Sequence, residues 1–163
     1  MKCIKWIAFA AALFPCLAQA QALVTERTLS LDAAREAATA ALERCRKDGY
    51  NVTVTVVNKS GRVKAQLHDD NAGPHTIENS FRKAYTSITF KDDSGAFGAR
   101  IGKNPPPHPA LVLGNVTTAE GALLIKAGND IVGAIGVSGA PGGARDAVCA
   151  QAGIDRIAKG LGG

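Results

Sequence analysis

The side chains of this sequence best suited to hold a metal or a small acid gather in one stretch, AGPHTIENSFRKAYTS, residues 72–87. His75 follows Pro74 directly, and the proline ring restrains the backbone behind the imidazole. The residues after it follow a helical pattern, with Ile77, Phe81, Ala84, Tyr85 and Ile88 as an apolar stripe. Arg82 and Lys83 lie off that stripe and can meet acidic groups. His108 is held between prolines in KNPPPHP (103–109), an extended connector stiff enough to hold a side chain over a pocket. His68 ends a strand-like run on its polar side and reads as a solvated histidine.

Other patterns carry less. GVSGAPGGARD (136–146) joins a strand to a helix, and helix N-termini attract anions. It matches neither the P-loop nor the dinucleotide fingerprint and reads as a tight corner. Ser138 sits in a near miss of the hydrolase nucleophile elbow: the final glycine is absent, and every histidine precedes the serine. Asp69-Asp70 and Asp92-Asp93 are chain neighbours in turns; on extended backbone they point apart, which does not suit paired acid–base work. No catalytic constellation emerges. No CxxC or Cys/His ligand spacing exists, which argues against structural zinc and covalent c-type haem.

An apolar slot with a histidine and basic residues is what a haem site needs: ring burial, an axial nitrogen and partners for propionates. The residues alone permit such a site without singling out haem; with haem as occupant, His75 would be the axial ligand, Phe81 and Tyr85 would lie near the ring, Arg82 or Lys83 would meet the propionates, and His108 would be a reserve ligand. A small carboxylate is the alternative occupant of the same mouth.

The elements that must position these residues can be read along the chain. Residues 1–20 have the form of a secretory signal peptide: Lys2 and Lys5, an apolar run from Trp6 to Leu17, then Ala18-Gln19-Ala20 as a small-x-small cleavage site. Cleavage leaves residues 21–163 as a single domain, periplasmic or secreted. Nineteen basic residues become seventeen against fourteen acids, a net charge of +3. The only Met and the only Trp are lost, which removes methionine from the candidate iron ligands. Cys45 and Cys149 remain. They either form one disulfide or lie as separate buried thiols. The mild charge has no long basic run or aromatic interleaving, so nucleic acid is not an expected partner, and no later segment is a membrane span.

A helix is predicted over 30–48 with Ser30 as N-cap, then a hairpin in NVTVTVVNKSGRVKAQLHDD, with Val63, Ala65 and Leu67 on one face and Arg62, Lys64, Gln66 and His68 on the other. After the His75 helix comes a short helix around 94–101. Strands are predicted at 110–112, 121–126 and 131–137, the last two joined at Gly128-Asn129, and a final helix at 145–159. The sum is an α/β (α+β) domain, a mainly antiparallel sheet of about five strands flanked by helices.

Three stretches carry a family resemblance: LSLDAAREAATAAL, VTVTVVNKSGRVKAQLHDDNAGPHTIENSFRKAYTS and GAIGVSGAPGGARDAVCAQAGIDRI. Together they resemble the GlcG/HbpS-like haem-binding family, whose domain is also called haem-degrading, from about Leu29 to Gly160. The resemblance implies a profilin- or PAS-like fold, homo-oligomers, and haem binding in several members. It links exported members to haem handling, iron and redox sensing, and others to glycolate-utilisation or corrinoid-enzyme contexts. LHDDNAG replaces the more typical Met-Asp-Gly-Ala turn, and 103–120 diverges. Iron ligation varies within the family, so His75 is chosen on placement alone.

Overall fold

The computed structural model describes residues 22–102 and 108–162. The expected signal peptide, and the part of the proline connector at 103–107, lie outside the described residues. The elements in chain order are α1 (Leu31–Lys47), β1 (Thr53–Asn58), β2 (Val63–His68), α2 (His75–Phe90), α3 (Ser94–Ile101), a 3-10 turn (Pro109–Val112), β3 (Ala122–Ala127), β4 (Asp130–Ser138) and α4 (Gly143–Leu161). The four strands form one antiparallel sheet in the order β2-β1-β4-β3. Helices α1 and α4 cover one face, and α2 covers the other.

Alternation along β1 decides what each face meets. Val54 and Val56 join the main core with Ala34, Ala38, Ala41, Ile135 and Val137. Thr53 and Thr55 turn towards α2 and are fully buried. Buried hydroxyls need partners, and α2 supplies them. Thr53 Oγ1 lies 2.6 Å from Thr76 Oγ1, and Thr55 Oγ1 lies 2.7 Å from Ser80 Oγ.

This corrects the expected inward stripe of α2. The buried face is Thr76, Ser80, Lys83, Ala84, Ser87 and Ile88, while Ile77 is 41% exposed and Phe81 and Tyr85 are half-buried. The cause is close backbone packing. Gly136 of β4 lies against the α2 main chain, where an added Cβ would collide with the Ser80 carbonyl and come within 2.8 Å of Ala84 N. Only small side chains fit between helix and sheet there. Gly136→Ala is therefore expected to destabilise the fold by about 1–3 kcal/mol or more, read as a lower urea midpoint with an unchanged slope.

The fifth expected strand, 110–112, is instead the 3-10 turn. His108 caps it, its Nδ1 accepting from Ala110 N–H at 3.1 Å, and Pro109 opens it. Ala110 and Leu111 pack beside the small cluster of Phe97, Ile101 and Val116. The other strands fall within one or two residues of their expected bounds.

Cys45 of α1 and Cys149 of α4 are joined in a disulfide, with Cα atoms 5.5 Å apart and both residues fully buried. The end of α1 is also tied to the β2–α2 loop. Arg46 grips Asp69 in a fork, Nε to Oδ2 at 2.8 Å and Nη2 to Oδ1 at 2.9 Å. The Arg46 hydrogen bonds hold the Asp69 carboxyl below the usual carboxylate range. A depressed folded-state pKa contributes stability above the unfolded value of about 4 and loses it as pH falls through the folded value. Asp69→Asn is therefore expected to be less stable than wild type at neutral pH. The gap should close as pH falls below about 4, in urea midpoints taken between pH 2 and 7.

Candidate functional site

Helix α2 presents two flanks, and the expected site residues divide between them. His75, Asn79 and Lys83 leave the helix on one side, towards the β4–α4 corner, and Arg82 reaches the segment before β3. Ile77, Phe81 and Tyr85, spaced by four, leave it on the other, towards the β1–β2 hairpin. The Tyr85 ring lies against Gly61 of that hairpin turn, and the Phe81 and Tyr85 rings are 5.6 Å apart.

His75 is the first residue of α2. Its ring folds back over Gly73 and is exposed. It makes no hydrogen bond among the described residues. It stands at the junction of two open clefts that also share Gly139. One is about 340 Å³ and includes Tyr50, Asn51, Asn71 and Thr76. The other is about 370 Å³ and includes Asn79, Lys83, Glu120, Ser138 and Asp146.

The floor of the second cleft is a buried polar network. Lys83 Nζ donates to Asp146 Oδ2 at 2.7 Å and to the Val137 carbonyl at 2.9 Å; both side chains are about 4% exposed. Asp146 Oδ1 accepts from Ala140 N–H at 2.9 Å, which fixes the glycine-rich corner to the first turn of α4. Burial pushes the Asp146 carboxyl up, and the Lys83 ammonium draws it part of the way back. Asn79 Nδ2 donates to Ser138 Oγ at 2.9 Å. Ser138 is thus a buried acceptor on β4, with no histidine hydrogen-bonded to it. A nucleophile needs an adjacent base.

The expected constellation is therefore only partly assembled. His75 and Lys83 share a cleft, but the Lys83 ammonium is held by Asp146 and Val137. Arg82 reaches the Val116 carbonyl at 2.7 Å and Glu78 at 3.6 Å. Phe81 and Tyr85 line neither cleft. His108 lies across the molecule beside Phe97, its ring edge-on with centroids 6.5 Å apart. The sequence reading missed Asp146, Asn79 and Ser138 as one network. Asp146 in the first turn of a helix after a glycine-rich corner was a visible signal; its pairing with Lys83, 63 residues away, was not.

His68 is exposed, as the sequence reading has it, yet it has a partner within the protein. Its Nδ1 lies 2.7 Å from Thr53 Oγ1. No group of three or more His, Cys, Asp or Glu side chains is arranged to hold a metal ion among the described residues. No helix among them is long and apolar enough to cross a membrane.

These features sit in a fold shared with known proteins. The crystal structure of HbpS is 33% identical over 90% of this chain and 99% of its own, with a TM-score of 0.77. A double mutant of Streptomyces reticuli HbpS gives 32% identity, 89% and 97% coverage, and a TM-score of 0.77. The crystal structure of a PduOC:heme complex is 22% identical over 80% of this chain and 95% of its own, with a TM-score of 0.71, a likeness of fold. No curated protein matches the chain. The family described as haem-degrading protein, HbpS-like, matches residues 29–155, which span every strand and nearly all of the helices above. The chain therefore belongs to the HbpS-like family of haem-degrading proteins.

Proposed function

We propose that this protein binds haem beside the N-terminus of α2, with His75 as an axial ligand. The observation that carries the reading is the His75 imidazole, exposed, free of hydrogen bonds among the described residues, and set where two clefts meet. An imidazole in that state offers a nitrogen lone pair without first giving up a partner. Bound haem would supply redox-active iron; the chain's own part is to offer the nitrogen and to shield the ring. Membership of the haem-degrading family and the haem complex of a protein of like fold support the ligand class. The signal-like residues 1–20 and the Cys45–Cys149 bridge support an exported protein, periplasmic or secreted, that sequesters, senses or helps degrade haem as a homo-oligomer.

A second reading rests on the 370 Å³ cleft. Its size, with His75 and the N-terminus of α4 at its edge, suits a small carboxylate bound without haem. Ligands that bind only the folded state raise its stability, by about 2.7 kcal/mol at a hundredfold excess over Kd. Haemin is expected to raise the melting temperature of wild type, with the rise reduced in His75→Ala and kept in His108→Ala. A rise with glycolate-like acids and none with haemin would select the second reading. Loss of Soret absorbance under a reductant, faster than for free haem, would separate a degrading enzyme from a passive binder.

A further inference from the structure

A chain of hydroxyls sets the tautomer of His68, and the bookkeeping of protons has one solution. The Gly73 carbonyl can only accept, so Thr76 gives its single hydroxyl proton to it. Thr76 Oγ1 must then accept from Thr53, 2.6 Å away. Thr53 has no second proton, so at 2.7 Å it must accept from His68 Nδ1–H. The neutral ring therefore carries its hydrogen on Nδ1 and presents the Nε2 lone pair outwards, because His68 is exposed. Metal-bound histidines are held in this way, one ring nitrogen on the metal and the other donating to a fixed acceptor. His75 has no such partner among the described residues.

The surroundings of His68 supply what the His75 clefts lack. His68 and Gln66 line the side of β2 that faces α2, since Leu67 and Ala65 pack into the opposite core; Lys64 follows at a register shift, beyond which Val63 pairs with Val57. Helix α2 runs beside them with its Ile77, Phe81 and Tyr85 flank, and Gln66 Nε2 donates to the Ile77 carbonyl at 3.1 Å. The apolar strip starts near His68 and ends at the hairpin turn, a length of about 12 Å for the eight helical steps from Ile77 to Tyr85. Lys64 makes no ion pair among the described residues. It stands about 13 Å along the strand from His68. An imidazole nitrogen, a half-exposed aromatic strip and a cation at its far end fit a flat, apolar, iron-bearing ring with acidic substituents.

Resting on the haem reading above, we propose that His68, fixed by Thr53 and Thr76, ligates the iron of a second haem through Nε2, its ring laid on the face formed by β2 and the Ile77–Phe81–Tyr85 flank of α2, apart from the His75 clefts. Thr53 and Thr76 are positioning residues in this account. Two measurements test it. In the haem-free protein, long-range ¹H–¹⁵N NMR is expected to report the Nδ1–H tautomer for His68, and release of that preference in Thr53→Val but not in Thr53→Ser. An Nε2–H tautomer in wild type would overturn the proposal. In haemin titrations, His68→Ala is expected to lose an imidazole-ligated Soret component that His75→Ala retains, and Thr53→Val, which keeps the ring, to bind about 10–100-fold more weakly. Titration of His68→Ala indistinguishable from wild type would overturn His68 as a ligand while leaving haem binding intact. Absence of saturable binding in wild type would instead remove the haem reading itself.

Discussion

Replacing Cys45 and Cys149 together by alanine is expected to lower unfolding free energy by about 4 kcal/mol, and the melting temperature by on the order of 10 °C. The bridge spans 104 residues of sequence, so it removes much of the freedom of the unfolded chain. The chain-entropy relation gives roughly 4.7 kcal/mol for a loop near that length, before any native-state strain is subtracted. The two helices it joins form one face of the domain, and their contact rests largely on alanines, Ala34, Ala37, Ala38, Ala41 and Ala150. Alanines bury little area each, so the covalent link is a large share of what holds α1 to α4. Calorimetry of wild type with and without reductant, beside the double variant, checks this. Reduced wild type and the variant should melt together, well below the oxidised protein. Equal melting in all three would mean that the bridge is either unformed or without energetic effect.

The buried Lys83–Asp146 pair should give an effect of similar size with a different signature. Lys83→Met leaves the Asp146 carboxylate buried with only the Ala140 amide as partner, and is expected to cost about 3–5 kcal/mol. The Lys83→Met, Asp146→Leu double variant removes both charges. It should recover much of that loss, because a buried ion pair spends most of its attraction on desolvation. The coupling between the two substitutions in urea unfolding is the quantity to read. The pH dependence is also distinctive. Burial raises the Asp146 pKa, and a raised folded-state value means stability contributed at low pH and lost as pH rises through it. In Lys83→Met the opposing pull of the ammonium is gone, so the carboxyl should rise further and the variant should regain stability on mild acidification. A single variant as stable as wild type at pH 7 would show that water reaches the pair.

Much of the fold is legible in the chain because local rules and burial agree there. Ser30 accepts from Ala33 N–H, as an N-cap should, and the valines of β1 alternate between two covered faces. The sense of α2 was not legible. Its most apolar stripe, Ile77 with Phe81 and Tyr85, turns partly to solvent, while threonines and serines go inward. The deciding residue is Gly136, some 60 positions away, which brings β4 too close to the helix for large side chains. The same rotation separates the aromatic residues from His75 and turns them towards the β1–β2 hairpin. The sequence reading set His68 aside as solvated because it lies on the polar side of a strand; its partner Thr53, itself bonded to Thr76 of α2, is a contact that local pattern does not show. Residues 110–112 have strand-like composition, but Pro109 and the His108 cap turn them into a 3-10 turn.

The central claim is that this chain binds haem at a defined site through a histidine. A haemin titration of residues 21–163, purified without haem and followed in the Soret region, tests it most directly. That stretch has no tryptophan, so its concentration should come from amino-acid analysis. The account predicts saturation at a fixed stoichiometry, with an imidazole-ligated spectrum altered by replacing a histidine beside α2. Featureless binding that never saturates, and that is the same in His68→Ala and His75→Ala as in wild type, would contradict it.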